Sequence, residues 1–222
     1  MNYEVINTGS DGNCIVLNEN IMLDCGIGYA RIKKHLKNIK IVFISHVHAD
    51  HLKQSTVKKI AFEYPNIKFI VGEQLVDTLL QCNVSKKNIF ILKLNTWYDI
   101  GICKVKLDYL YHDVPNYALH IEIKDFKILY ATDTGKIDHI IANNYDFAFI
   151  EANYETKEVL EEQIRIAHEK GEYTHLERVK YTHLSQLDAI NWLQKNNITN
   201  YCFIHEHKEK EEENEKFSHT KR

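Results

Sequence analysis

Residues 41–51 constrain this chain more than any other stretch. Ile41-Val42-Phe43-Ile44 is an unbroken apolar run, the pattern of a strand buried on both faces. It leads directly into Ser45-His46-Val47-His48-Ala49-Asp50-His51. In extended backbone, side chains two apart share a face, so His46 and His48 reach toward one point together. The chain then turns toward a helix and sends Asp50 and His51 to another side. A lone histidine is ordinarily a core or surface residue. Four ligand-type residues within six positions, at the end of a buried strand, are instead the pattern of a metal site on a loop.

The rest of the chain supplies a frame for that loop. Tyr3–Ile6, Cys14–Leu17 and Ile21–Asp24 read as short strands, the last two joined as a hairpin through Asn18-Glu19-Asn20. A short helix is expected over Ala30–Leu36. Val57, Ile60, Ala61 and Tyr64 recur at helical spacing and stop at Pro65. Strands are expected at Lys68–Val71, Ile89–Leu92, Lys104–Tyr111, Leu119–Ile123, Lys127–Ala131, Phe147–Ile150 and Tyr201–Ile204. Helices are expected near 74–80, 157–170 and 187–195. Strands outnumber helices, and helices intervene in both halves. That order suits an α+β fold of two packed sheets with helices outside, a four-layer α/β/β/α sandwich. One domain is expected over residues 1–206, followed by a charged tail at 207–222.

Composition excludes several classes. Apolar residues make up 44% of the 222 and charged residues 27%, ordinary values for a globular chain. No run approaches the roughly 18 apolar residues of a membrane span, and the first ten residues do not read as a secretory signal. A cytoplasmic protein without a membrane partner is therefore expected. The five cysteines form no CxxC pair and read as reduced, largely buried thiols. The net charge is -3, with no strongly basic half of the kind that grips long nucleic acid unspecifically. Histidine is the outlier, with thirteen residues.

The cluster at 46–51 resembles the HxHxDH hallmark of the metallo-β-lactamase fold superfamily, and four further segments extend the resemblance over most of the chain. Leu23-Asp24-Cys25-Gly26 is similar to the family's first motif, Tyr111 to Asn116 to its third, Ala131-Thr132-Asp133-Thr134-Gly135 to its fourth, and Tyr181-Thr182-His183-Leu184-Ser185 to its fifth. The resemblance implies two divalent metal ions, zinc or manganese. His46, His48 and His112 would hold one, Asp50, His51 and His183 the other, with Asp133 between them. It also implies Asp24 and Asp113 as residues that orient the ligands, and Asp50 as a group that orients or deprotonates the attacking water. Such a centre lowers a water's pKa toward ~7 and clamps the attacking and leaving oxygens.

Thr8–Cys14, Glu151-Ala152-Asn153 and His175-Leu176 resemble the YycJ (WalJ)-like branch, and the His112 and His183 segments are also similar to ribonuclease Z. The expected activity is a phosphodiesterase, foremost a nuclease acting on DNA or RNA through a metal-bridging hydroxide, with His175 donating a proton to the leaving oxygen. A nucleic acid or nucleotide substrate is the expected partner, and a homodimer is compatible with this reading. A thioester or lactone hydrolase and a cyclic-nucleotide phosphodiesterase are the alternatives. The distance from Asp133 to His183 is too short for the large inserted domain of β-CASP nucleases. His120 reads as structural. His205 and His207 either reach the site or begin the tail, and Lys33, Lys34 and Lys37 read as a solvated helix face. Tyr117 and Tyr154 either stack on a base or pack in the core and rim.

Overall fold

The computed structural model describes residues 1–206; the expected tail at 207–222, with His207, lies outside the described residues. The first sheet runs in chain order: β1 (Tyr3–Asn7), β2 (Cys14–Leu17), β3 (Ile21–Leu23), β4 (Ile41–Phe43), β5 (Lys68–Val71) and β6 (Ile89–Ile91). Asn18 and Glu19 take φ of 44° and 62° between β2 and β3, the left-handed pair that a tight hairpin requires. From β3 to β6 neighbouring strands are parallel, so each connection must cross over the sheet. Helices α1 (Tyr29–Leu36), α2 (Gln54–Glu63) and α3 (Val76–Gln81) make these crossings.

The second sheet contains β7 (Tyr98–Asp99), β8 (Lys104–Leu110), β9 (Asn116–Ile123), β10 (Phe126–Ala131), β11 (Phe147–Glu151) and β12 (Tyr201–Ile204), again in sequential order. The strands from β7 to β10 are antiparallel, whereas β11 and β12 run parallel to β10. Helices α4 (Lys157–Glu169), α5 (Leu176–Thr182) and α6 (Gln186–Lys195) fill the connection before β12.

Strand alternation sorts the apolar residues into three cores. Leu17, Leu23 and Phe43 point between the sheets, meeting Leu107, Ile121, Tyr130 and Phe149; the Phe43 and Tyr130 rings meet edge-on at 6.2 Å. Met22, Val42 and Val71 face outward onto Ile32, Leu36, Val57 and Ile60 of the helices. Leu129, Ala131 and Ile150 face the other way, onto Ala189, Trp192 and Leu193 of α6. Fully burying one such Leu or Phe side chain stabilises by about 1.5–3 kcal/mol. The result is the four-layer α/β/β/α sandwich read from the sequence.

Two elements were not legible. Strand β7 has only two residues, too few for any alternation. Helix α5 buries only Val179 and Thr182, so it lacks an apolar stripe. All five cysteines are free thiols. Among the described residues, no helix is long and apolar enough to cross a membrane.

Candidate metal centre

The ligand-type residues collect at the end of the sandwich where the parallel strands finish. His46 and its neighbours follow β4, His112 follows β8, Asp133 follows β10, Glu151 ends β11 and His205 follows β12. Asp24, Asp133 and His205 each leave a strand with positive φ, at 56°, 40° and 55°. Such backbone costs an L residue on the order of 1–3 kcal/mol, and it turns each side chain sharply out of its strand toward a common point.

Three groups of converging atoms result, and all contain Asp133. His46, His48, His112 and Asp133 offer ligand atoms all within 4.8 Å of one another, as do Asp50, His51, Asp133 and His205, and as do Asp133, Glu151, His183 and His205. Asp133 Oδ2 is 3.9 Å from His46 and 3.8 Å from His112, while its Oδ1 is 3.3 Å from His51. The carboxylate therefore stands between the first two groups. Burial alone would raise its pKa, but His51, His205 and His46 outweigh burial and hold it well below the usual carboxylate range.

Outer hydrogen bonds fix the rings. His51 Nδ1–H donates to the buried Asp24 carboxylate at 2.6 Å. That carboxylate also accepts from Ser45 N–H, Ser45 Oγ and Tyr130 Oη at 2.7, 2.9 and 2.6 Å. His112 Nδ1–H donates to the Thr182 carbonyl at 3.0 Å. Both rings thus turn an Nε2 lone pair inward. His46 Nε2 and His112 Nε2 approach the same atom, His48 Nδ1, at 3.1 and 3.3 Å. One imidazole nitrogen carries at most one proton and cannot satisfy two incoming lone pairs. A shared cation can, so the donor set fits a metal ion. Asp113 lies on the outer side, with Oδ1 3.4 Å from His48 Nε2 and Oδ2 3.4 Å from Arg178 Nη1.

The structure brings together eight of the nine residues assigned by sequence to the metals and their immediate support where they were expected: His46, His48, Asp50, His51, His112, Asp133, Asp24 and Asp113. His183 lies in the third group, with Asp133, Glu151 and His205, and not beside Asp50 and His51. The position expected for it beside Asp50 and His51 is filled by His205, whose Nε2 is 3.3 Å from Asp50 Oδ2 and 3.5 Å from Asp133 Oδ2. The physical reason is strand order: β12 lies parallel to β11, so its end delivers residue 205 to the point where β10 and β11 finish. His183 instead ends α5 and turns Nδ1 onto Glu151. Burial would lower the His183 pKa, but the Glu151 carboxylate outweighs it and raises it to about 9. Glu151 is itself fully buried and accepts from Thr134 N–H at 2.7 Å and Leu184 N–H at 3.2 Å.

Asn13 and Gly26, in segments that the sequence marked without giving either residue a role, are further supports. The Asn13 backbone N–H and side-chain amide both donate to the Asp50 carbonyl, at 2.6 and 3.2 Å, and the amide sits 2.9 Å from His51 Nε2. A Cβ on Gly26 would lie 1.6 Å from that same carbonyl oxygen. Because the clash is with backbone, Gly26→Ala is expected to displace the Asp50 loop and to cost about 1–3 kcal/mol of stability, with weakened metal uptake. Denaturant unfolding with and without zinc measures both effects.

The groups line a cleft of about 400 Å³, whose outer wall carries Tyr173, His175, Arg178 and Val179. His175 immediately precedes α5 on this outer wall. Clefts of about 440 and 460 Å³ open at the opposite end of the sandwich, and their linings contain no histidine. His120 is buried in β9 against Asp108 at 2.8 Å and Tyr145 at 2.9 Å, outside the centre. Lys33 and Lys34 pair with Glu63 and Glu4 on the exposed face of α1.

This fold and this site define a metal-dependent hydrolase of the metallo-β-lactamase fold. The chain belongs to the beta-lactamase superfamily domain family, whose model matches residues 19–205. No curated protein matches it in sequence. Among solved structures it is similar to the metallo-β-lactamase fold protein YhfI from Bacillus subtilis, at 15% identity and TM-score 0.69, over 92% of this chain and 85% of that one. It is similar to human tRNase Z, short form, at 16% identity and TM-score 0.68, over 93% and 92% of the two chains. A diphosphatase from the PhnP family aligns at 13% identity and TM-score 0.61, over 92% and 85%. At these identities the likeness is one of fold.

Proposed function

We propose that the chain is a dinuclear phosphodiesterase, and in particular a nuclease. The observation that carries the reading is the pair of four-group clusters sharing Asp133, set in a cleft that also holds the His183–Glu151 pair. His46, His48, His112 and Asp133 would hold one divalent ion, and Asp50, His51, His205 and Asp133 the second, zinc being the first candidate and manganese the other. Bound there, the two ions would lower the pKa of a water toward ~7 and neutralise charge on a phosphoryl group.

The remaining work falls to the chain's own residues. Asp24 and the Thr182 carbonyl hold His51 and His112 in the tautomers that face inward. Asp50, fixed through its carbonyl by Asn13, orients the attacking water. Glu151 holds a proton on His183 Nδ1 and leaves Nε2 for the cleft, where it gives a proton to the leaving oxygen; His183 takes the role that the sequence suggested for His175. Arg178 and His175, on the outer wall, hold the anionic substrate. The similarly folded tRNase Z and PhnP-family diphosphatase are named for action on tRNA and on a diphosphate, which supports a phosphoryl-directed reading here.

The test is a substrate panel with zinc- or manganese-loaded protein: bis-p-nitrophenyl phosphate, single- and double-stranded DNA, RNA, cyclic nucleotides, a glutathione thioester and nitrocefin. Phosphodiester turnover that chelation abolishes and added metal restores is expected. Turnover confined to the thioester or to nitrocefin overturns the proposal.

A further inference from the structure

We propose that Tyr117, Tyr109 and Tyr111 form a stacking track that leads single-stranded nucleic acid into the site. The inference rests on the phosphodiesterase reading and names the form of its substrate. In β8, Val105, Leu107 and Tyr109 share a face by alternation. Val105 and Leu107 are buried between the sheets, yet Tyr109 is 40% exposed. Its cross-strand partner is Tyr117, with the rings 6.4 Å apart. The Tyr117 ring occupies the space above Gly72, where a Cβ would lie 2.1 Å from its Cε2.

On the other side, the Tyr109 ring meets Tyr111 edge-on at 5.5 Å. Tyr111 is 46% exposed and is the residue immediately before His112. Its ring contacts His139 at 4.8 Å, and Lys136 Nζ lies 5.9 Å from its centroid. Aromatic rings thus run in one row from the sandwich rim to a residue of the metal centre, with a cation at the inner end. Solvent-facing positions on a strand call for polar side chains, and isolated rim tyrosines are ordinary. Three tyrosines supporting one another edge to face, beside a site that reads phosphate, are a platform.

Every base has a π-face, so such a row binds nucleic acid with little sequence preference. The Tyr111 and Tyr117 ring planes stand 86° and 66° from that of Tyr109, so bases lying on successive rings cannot stay parallel as the stacked bases of a duplex do. Bases riding on successive rings are therefore splayed apart, as a single strand permits and a duplex does not.

The test measures binding of a fluorescein-labelled single-stranded 12-mer, and of its duplex, to zinc-loaded protein. A His183→Ala background keeps cleavage from consuming the probe. The single strand is expected to bind more tightly than the duplex. Tyr109→Leu keeps the apolar packing but removes the π-face, and is expected to weaken single-strand binding about five- to a hundredfold; Tyr109→Trp is expected to restore it. Leu binding as tightly as Tyr, or duplex binding as tightly as single strand, overturns the track. If that happens while protein with His183 intact still cleaves bis-p-nitrophenyl phosphate, the phosphodiesterase reading stands without it. Failure to cleave any phosphodiester removes both.

Discussion

Replacing Asp133 with alanine is expected to reduce metal content from two equivalents to fewer than one and to lower phosphodiester turnover by about a thousandfold or more. The side chain reaches both clusters, 3.3 Å from His51 on one side and 3.8 Å from His112 on the other. Its loss removes a ligand from each and the negative charge between two cations. A thousandfold corresponds to about 4 kcal/mol of barrier, at 1.36 kcal/mol per tenfold. The residue also sits at φ 40°, which alanine tolerates poorly and asparagine well. Asp133→Asn therefore separates charge from backbone: in metal-free buffer it should unfold near the temperature of metal-free wild type, and it should still lose metal binding and activity. Elemental analysis of both variants decides. Two full equivalents in either one would remove the bridging role.

A second large effect separates two histidines that local sequence makes look alike. His205→Ala is expected to retain about one equivalent of metal. His183→Ala is expected to keep two and to lose about 10²–10⁴ in kcat, the range for a positioned general acid, with KM nearly unchanged. Glu151→Gln should resemble His183→Ala in kind, because Glu151 holds the His183 ring. The opposite pattern, with His183→Ala emptying a site and His205→Ala leaving both filled, would return His183 to the ligand set.

That exchange shows where sequence reasoning carried and where it stopped. The loop from His46 to His51 was readable because its groups are adjacent and follow an unmistakable buried strand. The layers were readable because Ile41 to Ile44 and Phe147 to Ile150 are apolar runs that interior strands need, and Tyr201 to Ile204, though an edge strand, is an apolar run of the same kind. His183 drew attention through its neighbours Leu184 and Ser185, a local pattern. The better signal for a ligand was positional: His205 directly follows a strand, as His46 does three residues after β4 and His112 two after β8. Recognising it required knowing that β12 lies next to β11, and pairing between strands fifty residues apart is not written in either one. The roles of Asn13, Gly26 and Glu151, whose segments the family resemblance had marked, were hidden for the same reason, since their partners Asp50, Thr134 and His183 come from other parts of the chain.

The span of the second cluster has a consequence for how the protein is made. Asp50 and His51 leave the ribosome early, but His205 is the last of the four groups to emerge. At about 5–20 residues per second, roughly 8–30 s separate the first of these groups from the last. During that interval β12 is missing, and the second sheet ends at β11 with an open edge. A nascent chain therefore carries the histidine-rich loop without a complete second cluster. On the proposed reading, the second cluster is complete only when the final strand docks, so a product truncated before His205 is expected to lack phosphodiester turnover.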